Sequence, residues 1–285
     1  MSRVHDALRR AELGASPGAP PQDLAHTEVP LEFLPVSAAA AVRLNIDPDM
    51  LADVEVVKFD PAAESHLLDL NNSHETPAEE FRTLRTRLNH LQTLQPLHTT
   101  IVTSPSPAEG KTFTAVNLAL AEAQLTDSSV LLGDFDLRRP IVHNLFQIKR
   151  SPGISDYVMG QCTFAQALRK VEGMNLYLLP AGSAVKNPLE LLNMRQVRAL
   201  FQELPRTFNW SIFDTPPLLF SADANLLATM ADGAILVVKI GSTTFDNVTR
   251  AMQSLCENNV LGIVANGARA SELYSKYTYY YSKTD

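Results

Sequence analysis

From Pro77 onward the chain alternates short, nearly all-apolar runs with longer amphipathic ones, and no other feature restricts the fold as much. The runs "TTIVTSP", "SVLLGDFD", "NLYLLPAG", "WSIFDTPP", "GAILVVKIG" and "VLGIVANGA" have the length and β-branched content of strands. Between them lie the helix-like stretches "FTAVNLALAEAQL", "NPLELLNMRQVRALFQEL" and "FDNVTRAMQSLCENN". Ahead of the first strand, "AEEFRTLRTRLNHLQTL" carries Phe81, Leu84, Leu88 and Leu91 at helical spacing. A strand that is apolar on both sides must be covered on both sides, and strands separated by helices run parallel. The pattern therefore predicts an α/β fold, doubly wound around a mostly parallel sheet.

The first 75 residues read differently. "MSRVHDALRRAELGA" sets Val4, Ala7, Leu8 and Ala11 on one side of a short helix, and "SPGAPPQ" breaks it. Residues 1–75 carry 13 acidic and 5 basic side chains, a balance of -8 against -7 for the whole chain. We expect a leading helix and an acidic, loosely structured arm, with docking segments such as "VEVVKF". The acidic balance argues against a nucleic-acid binder that works by bulk attraction to phosphate. Two cysteines, Cys162 and Cys256, lie far apart without metal spacing, which fits a reducing compartment. No apolar run reaches the roughly 20 residues of a membrane helix and no signal core opens the chain. A cytoplasmic protein without a membrane span is expected, reaching a membrane only through a partner.

Function is concentrated where strands end. In a doubly wound sheet, ligands sit beyond the carboxyl ends of the strands. There "TSPSPAEGKT" supplies Gly110, Lys111 and Thr112, the second half of a phosphate-binding loop, with Pro105 where its first glycine would stand. Such a loop presents backbone N–H groups and a helix N-terminus to phosphate. "VLLGDFDLRRP" places Asp134 and Asp136 at the end of a buried strand, two residues apart and so on one face, and "WSIFDTPP" ends another strand in Asp214. Three carboxylates on one rim repel unless a cation sits among them; Lys111 with Mg2+ on nucleotide phosphates fills that role.

These three stretches resemble the Walker A, Walker A′ and Walker B motifs of bacterial tyrosine kinases, the autophosphorylating P-loop kinases of exopolysaccharide and capsule synthesis. The resemblance covers about residues 76–285, and the opening "MSRVHDALRRAE" is similar to the soluble kinases of exosortase-linked clusters. It implies a P-loop NTPase-type fold with a deviant Walker A motif, and ATP and Mg2+ as cofactors. Ala108, Glu109, Gly110, Lys111, Thr112, Phe113 and Asn266 would contact nucleotide, Thr112, Asp134 and Asp214 would hold the metal, and Lys111, Asp134, Asp136 and Asp214 would serve catalysis. Asp136 would orient and deprotonate the acceptor tyrosine. Arg138 and Arg139 would steady phosphate or a neighbouring subunit. The family usually has glycine at position 108 and an aliphatic residue at position 133, so Ala108 and Gly133 depart from it.

"LYSKYTYYYSKTD" gathers Tyr274, Tyr277, Tyr279, Tyr280 and Tyr281, out of seven tyrosines in the chain. Such density on a polar end is hard to attribute to packing, and the resemblance makes it the autophosphorylation site. Glu79, Arg82 and Arg85 match the family's E-x-x-R-x-x-R pattern, which implies a ring-like homo-oligomer and transfer between subunits. A membrane polysaccharide co-polymerase is the implied activator. The division expected is an N-terminal arm over 1–75, a kinase domain over 76–272 and a tail over 273–285. Two rivals stay open: a positioning ATPase of the chromosome- or septum-partitioning type, and a nucleotide-binding regulator without catalysis. Against the first, residues 103–109 lack the extra lysine of those relatives.

Overall fold

The computed structural model describes residues 48–59, 61, 67–68, 78–255 and 260–268. The leading helix, most of the acidic arm and the tyrosine-rich tail lie outside the described residues.

In chain order the elements are β1 (Glu55–Val57), α1 (Ala78–Leu94), β2 (Thr99–Thr103), α2 (Lys111–Glu122), β3 (Val130–Asp134) and α3 (Val142–Leu145). Then follow α4 (Ile154–Val158), α5 (Phe164–Ala167), β4 (Arg169–Val171), β5 (Leu176–Leu179), α6 (Pro188–Leu192) and α7 (Arg195–Glu203). The chain closes with β6 (Trp210–Asp214), α8 (Ala222–Ala228), β7 (Gly233–Lys239), α9 (Phe245–Ser254) and β8 (Val260–Asn266). Two turns of 3-10 helix span Pro48–Asp53 and a single turn spans Leu204–Arg206.

The strands form one sheet in the order β1-β4-β5-β3-β6-β2-β7-β8. All neighbours run parallel except β4 and β5, which pair antiparallel through Arg169 with Leu178 and Lys170 with Tyr177. The central strands are buried on both sides because their side chains alternate between two cores. Ile101, Leu131, Phe213 and Leu236 point to one core with α4 to α9. Val102, Leu132, Ile212 and Ile235 point to the other, with α1 and α2. This is the two-sided burial that continuous apolar runs require.

One segment of the acidic arm joins this sheet: Glu55–Val57 pairs in parallel with β4 at the edge. Among the described residues no helix is long and apolar enough to cross a membrane.

Parallel pairing brings the carboxyl ends of β2, β3 and β6 to one rim. Asp134 and Asp214 are register partners on β3 and β6, and Val102 of β2 is the partner of Asp214 on its other side. The loop after β2 therefore opens beside both aspartates.

Candidate active site

The loop from Ser104 to Gly110 turns β2 into α2 and has few free amides. Pro105 and Pro107 carry no N–H, and the Ser106 N–H is taken by Glu109 Oε2 at 2.7 Å. The donors left for an anion are the amides of 108 to 112. Ala108 and Gly110 both hold left-handed backbone angles, φ 62° and 98°, which curls these amides inward as an anion-binding nest does. A side chain at 110 has no room, since a Cβ there would lie 1.9 Å from Asn266 Nδ2. That same Nδ2 donates to the Glu109 carbonyl at 3.0 Å. Phe113, in the first turn of α2, packs edge-on against Phe81 of α1 with ring centroids 5.8 Å apart.

Lys111 stands at the first position of α2 and gathers the acids. Its Nζ lies 2.9 Å from Asp136 Oδ2 and 3.6 Å from Asp214 Oδ1. Thr112 Oγ1 donates to Asp214 Oδ2 at 2.6 Å. Asp134 Oδ2 accepts the Val142 N–H at 3.0 Å. Asp136 Oδ1 accepts the Arg139 N–H at 3.1 Å. The strand stops at Asp134, so Asp136 is reached by the turn after β3 and not by strand alternation, a difference from the expectation.

Burial works against the Lys111 ammonium, but Asp214, Asp136 and Asp134 outweigh it and raise its pKa. Burial, followed by the charge of Asp214, lifts the Asp134 carboxyl well above the usual carboxylate range. Burial also pushes Asp214 up to about 6, with Lys111 and the Thr112 hydroxyl acting in the opposite direction.

Asp134 Oδ1 and Asp214 Oδ1 are buried without a hydrogen-bond partner. Two orphaned carboxylate oxygens and a threonine hydroxyl form a hard-oxygen set that suits Mg2+. Among the described residues no three acids, imidazoles or thiolates form a metal cage by themselves. The residues fit a magnesium ion that arrives with phosphate oxygens.

The site opens into a cavity of about 630 Å3 lined by Lys111, Thr112, Asp136, Arg138, Arg139 and Phe220, among others. Arg138 is fixed there by Asp223, through Nε at 2.7 Å and Nη2 at 3.1 Å.

No family model matches the chain. Its sequence is 35% identical over 208 residues to tyrosine-protein kinase YwqD of Bacillus subtilis, covering 72% of this chain and 87% of that one. The chain belongs to the bacterial tyrosine-protein kinases. Tyrosine-protein kinase etk of Escherichia coli K12 is 32% identical over 212 residues, covering 73% of this kinase but 29% of the relative. The solved kinase domain of Escherichia coli ETK superposes with a TM-score of 0.65 at 28% identity, over 78% of this chain and 94% of that domain. A nucleotide-binding P-loop fold goes with this membership.

Thr243 beside the kinase's site was not legible in sequence. Thr243 donates to Glu109 Oε1 at 2.6 Å from 134 residues away, and Asp223 holds Arg138 from 85 residues away. Thr243 lies in no motif, four residues past the end of β7, and Asp223 sits in the first turn of α8 within "FSADANLLA". Asp232 is a turn residue, accepting the N–H groups of His98 and Thr99 at 2.9 and 2.8 Å. Glu79 and Arg82 pair with each other on α1. Arg85 faces inward and donates to the Ala121 carbonyl at 2.7 Å. The five tail tyrosines lie outside the described residues.

Proposed function

We propose that this kinase transfers the γ-phosphoryl group of ATP to tyrosine hydroxyls, its own Tyr274, Tyr277, Tyr279, Tyr280 and Tyr281 among them. The observation that carries the reading is the division of labour among three acids around one lysine. Asp136 lines the open cavity beside Lys111, whereas Asp134 and Asp214 have no solvent exposure. An acceptor hydroxyl entering the cavity meets Asp136 first.

In this reading the amides of 108 to 112 and the Lys111 ammonium hold the phosphates, and Lys111 exchanges Asp136 for the β- and γ-phosphate oxygens. Thr112, Asp134 and Asp214 would hold Mg2+, which would supply charge neutralisation on the phosphates. Asp136 orients the tyrosine hydroxyl and receives its proton as the bond from Oη to γ-phosphorus forms. The bond to the bridging oxygen breaks, and its electron pair leaves with ADP.

Transfer between subunits of a ring-like homo-oligomer, in control of exopolysaccharide synthesis, completes the reading. A membrane co-polymerase is the proposed activator, and it would bring the kinase to the inner face of the membrane. Incubating the purified protein with Mg·ATP, with and without the activator's cytoplasmic segment, and mapping phosphotyrosine by mass spectrometry tests it. Phosphate on the tail tyrosines, absent in Lys111→Met, supports transfer. Steady ATP hydrolysis without phosphotyrosine would point to a positioning ATPase. Binding of nucleotide without either reaction would leave a regulator.

A further inference from the structure

We propose that Thr243, in the turn between β7 and α9, is a positioning residue for the phosphate loop: through Glu109 it holds the amides of 108 to 112 in the form that receives nucleotide phosphates. The inference rests on the reading that this loop binds nucleotide.

The connection is a continuous polar relay. The Lys239 N–H at the end of β7 donates to Thr243 Oγ1 at 2.8 Å. The same hydroxyl donates to Glu109 Oε1 at 2.6 Å. Glu109 Oε2 accepts the Ser106 N–H at 2.7 Å, and the Glu109 carbonyl accepts from Asn266 Nδ2 at 3.0 Å. A hydroxyl, accepting on one side and donating on the other, is the group that satisfies both ends at once. Glu109 itself is 3% exposed, so losing one of its partners leaves a buried carboxylate oxygen unsatisfied.

Glu109 also sits between the two left-handed residues of the loop, Ala108 and Gly110. Left-handed backbone costs an alanine about 1 kcal/mol, so Ala108 reverts to negative φ unless its neighbour is tethered. The tether is Glu109. A reverted Ala108 turns its following amide out of the nest, and with two prolines and the occupied Ser106 amide, the loop has no spare donors. Phosphate affinity therefore depends on a threonine that need not touch the nucleotide.

The test uses the full chain and Mg·ADP, titrated calorimetrically. Thr243→Val should weaken Mg·ADP binding about tenfold and raise the KM for ATP by a similar factor, with kcat changed less than about twofold. Thr243→Ser, which keeps the hydroxyl, should stay near wild type. Glu109→Gln should weaken binding as well, and the double variant with Thr243→Val should be no worse than the weaker single, because both break one relay. Glu109→Gln also serves as the probe where the valine variant does not fold. If wild type binds Mg·ADP and the folded Thr243→Val variant binds it equally well, or if the two losses add, the positioning role is wrong. If wild type binds no Mg·ADP, the nucleotide reading of the site has failed instead.

Discussion

Lys111 pairs with the acids of its own site: its ammonium lies 2.9 Å from Asp136 and 3.6 Å from Asp214. Phosphate must compete with Asp136 for that ammonium, which separates the two residues' roles experimentally. Asp136→Asn should lower kcat by about 10²- to 10⁴-fold, the usual worth of a general base. Mg·ATP affinity should hold or rise in that variant, since the lysine is released. Lys111→Met should instead weaken Mg·ATP binding. Equal losses of binding in both variants, measured by titration calorimetry, would contradict the assignment. Ala108 offers a gain. Its φ of 62° suits glycine, so Ala108→Gly should stabilise the fold by up to about 1 kcal/mol in urea denaturation through relieved backbone strain; unchanged or lower stability would argue against that strain. At this scale the acids and the lysine were legible because each sits at the end of an apolar run or in a loop of recognisable spacing. Thr243 was not, because its hydrogen-bond partner Glu109, 134 residues away, leaves no local pattern.

Among the elements, β3 explains a departure from the family pattern. A Cβ at Gly133 would lie 2.8 Å from a Phe213 ring carbon and 2.9 Å from a Phe135 ring carbon. The rings of Phe135 and Phe213, with centroids 4.8 Å apart, occupy the space an aliphatic residue would take. Gly133→Val should therefore destabilise the fold by about 1–3 kcal/mol in urea denaturation; a neutral result would mean that the rings move aside. Helices α1 and α2 are joined by a buried acid. Asn89 Nδ2 donates to Glu122 Oε2 at 3.1 Å, and Trp210 Nε1 donates to Asn89 Oδ1 at 2.7 Å. Burial pushes the Glu122 carboxyl up to about 7, against Asn89 and Arg85. Its folded pKa thus exceeds its unfolded one, so the folded state holds the proton more tightly. Stability should fall as pH rises from about 4.5 to about 7 and level off above that. At pH 8 Glu122→Gln should be more stable than wild type by on the order of 2 kcal/mol, and thermal melts between pH 5 and 8 should show a flatter slope. Identical slopes would place the titration elsewhere. The parallel strands were readable as apolar runs. The antiparallel β4–β5 pair was not, because β4 is three residues long and has no run to read.

Across the whole molecule, the fold gathers three motifs spread over residues 103 to 214 into one rim and leaves one carboxylate, Asp136, at an open cavity. Of the E-x-x-R-x-x-R array, Arg85 turns inward to Ala121, Arg82 is half-buried and paired with Glu79, and Glu79 is exposed. Phosphorylated tails would repel one another and loosen a ring. Light scattering should then give a smaller particle for the phosphorylated protein than for Lys111→Met, and equal sizes would end that part of the account. The central claim is tested most directly by phosphotyrosine mapping after the protein, supplied with the proposed activator's cytoplasmic segment, is incubated with Mg·ATP. We predict phosphate on tyrosines within 274–281 in wild type and none in Lys111→Met or Asp136→Asn. ATP turnover by wild type without phosphotyrosine, or tail phosphorylation persisting in Lys111→Met, would contradict it.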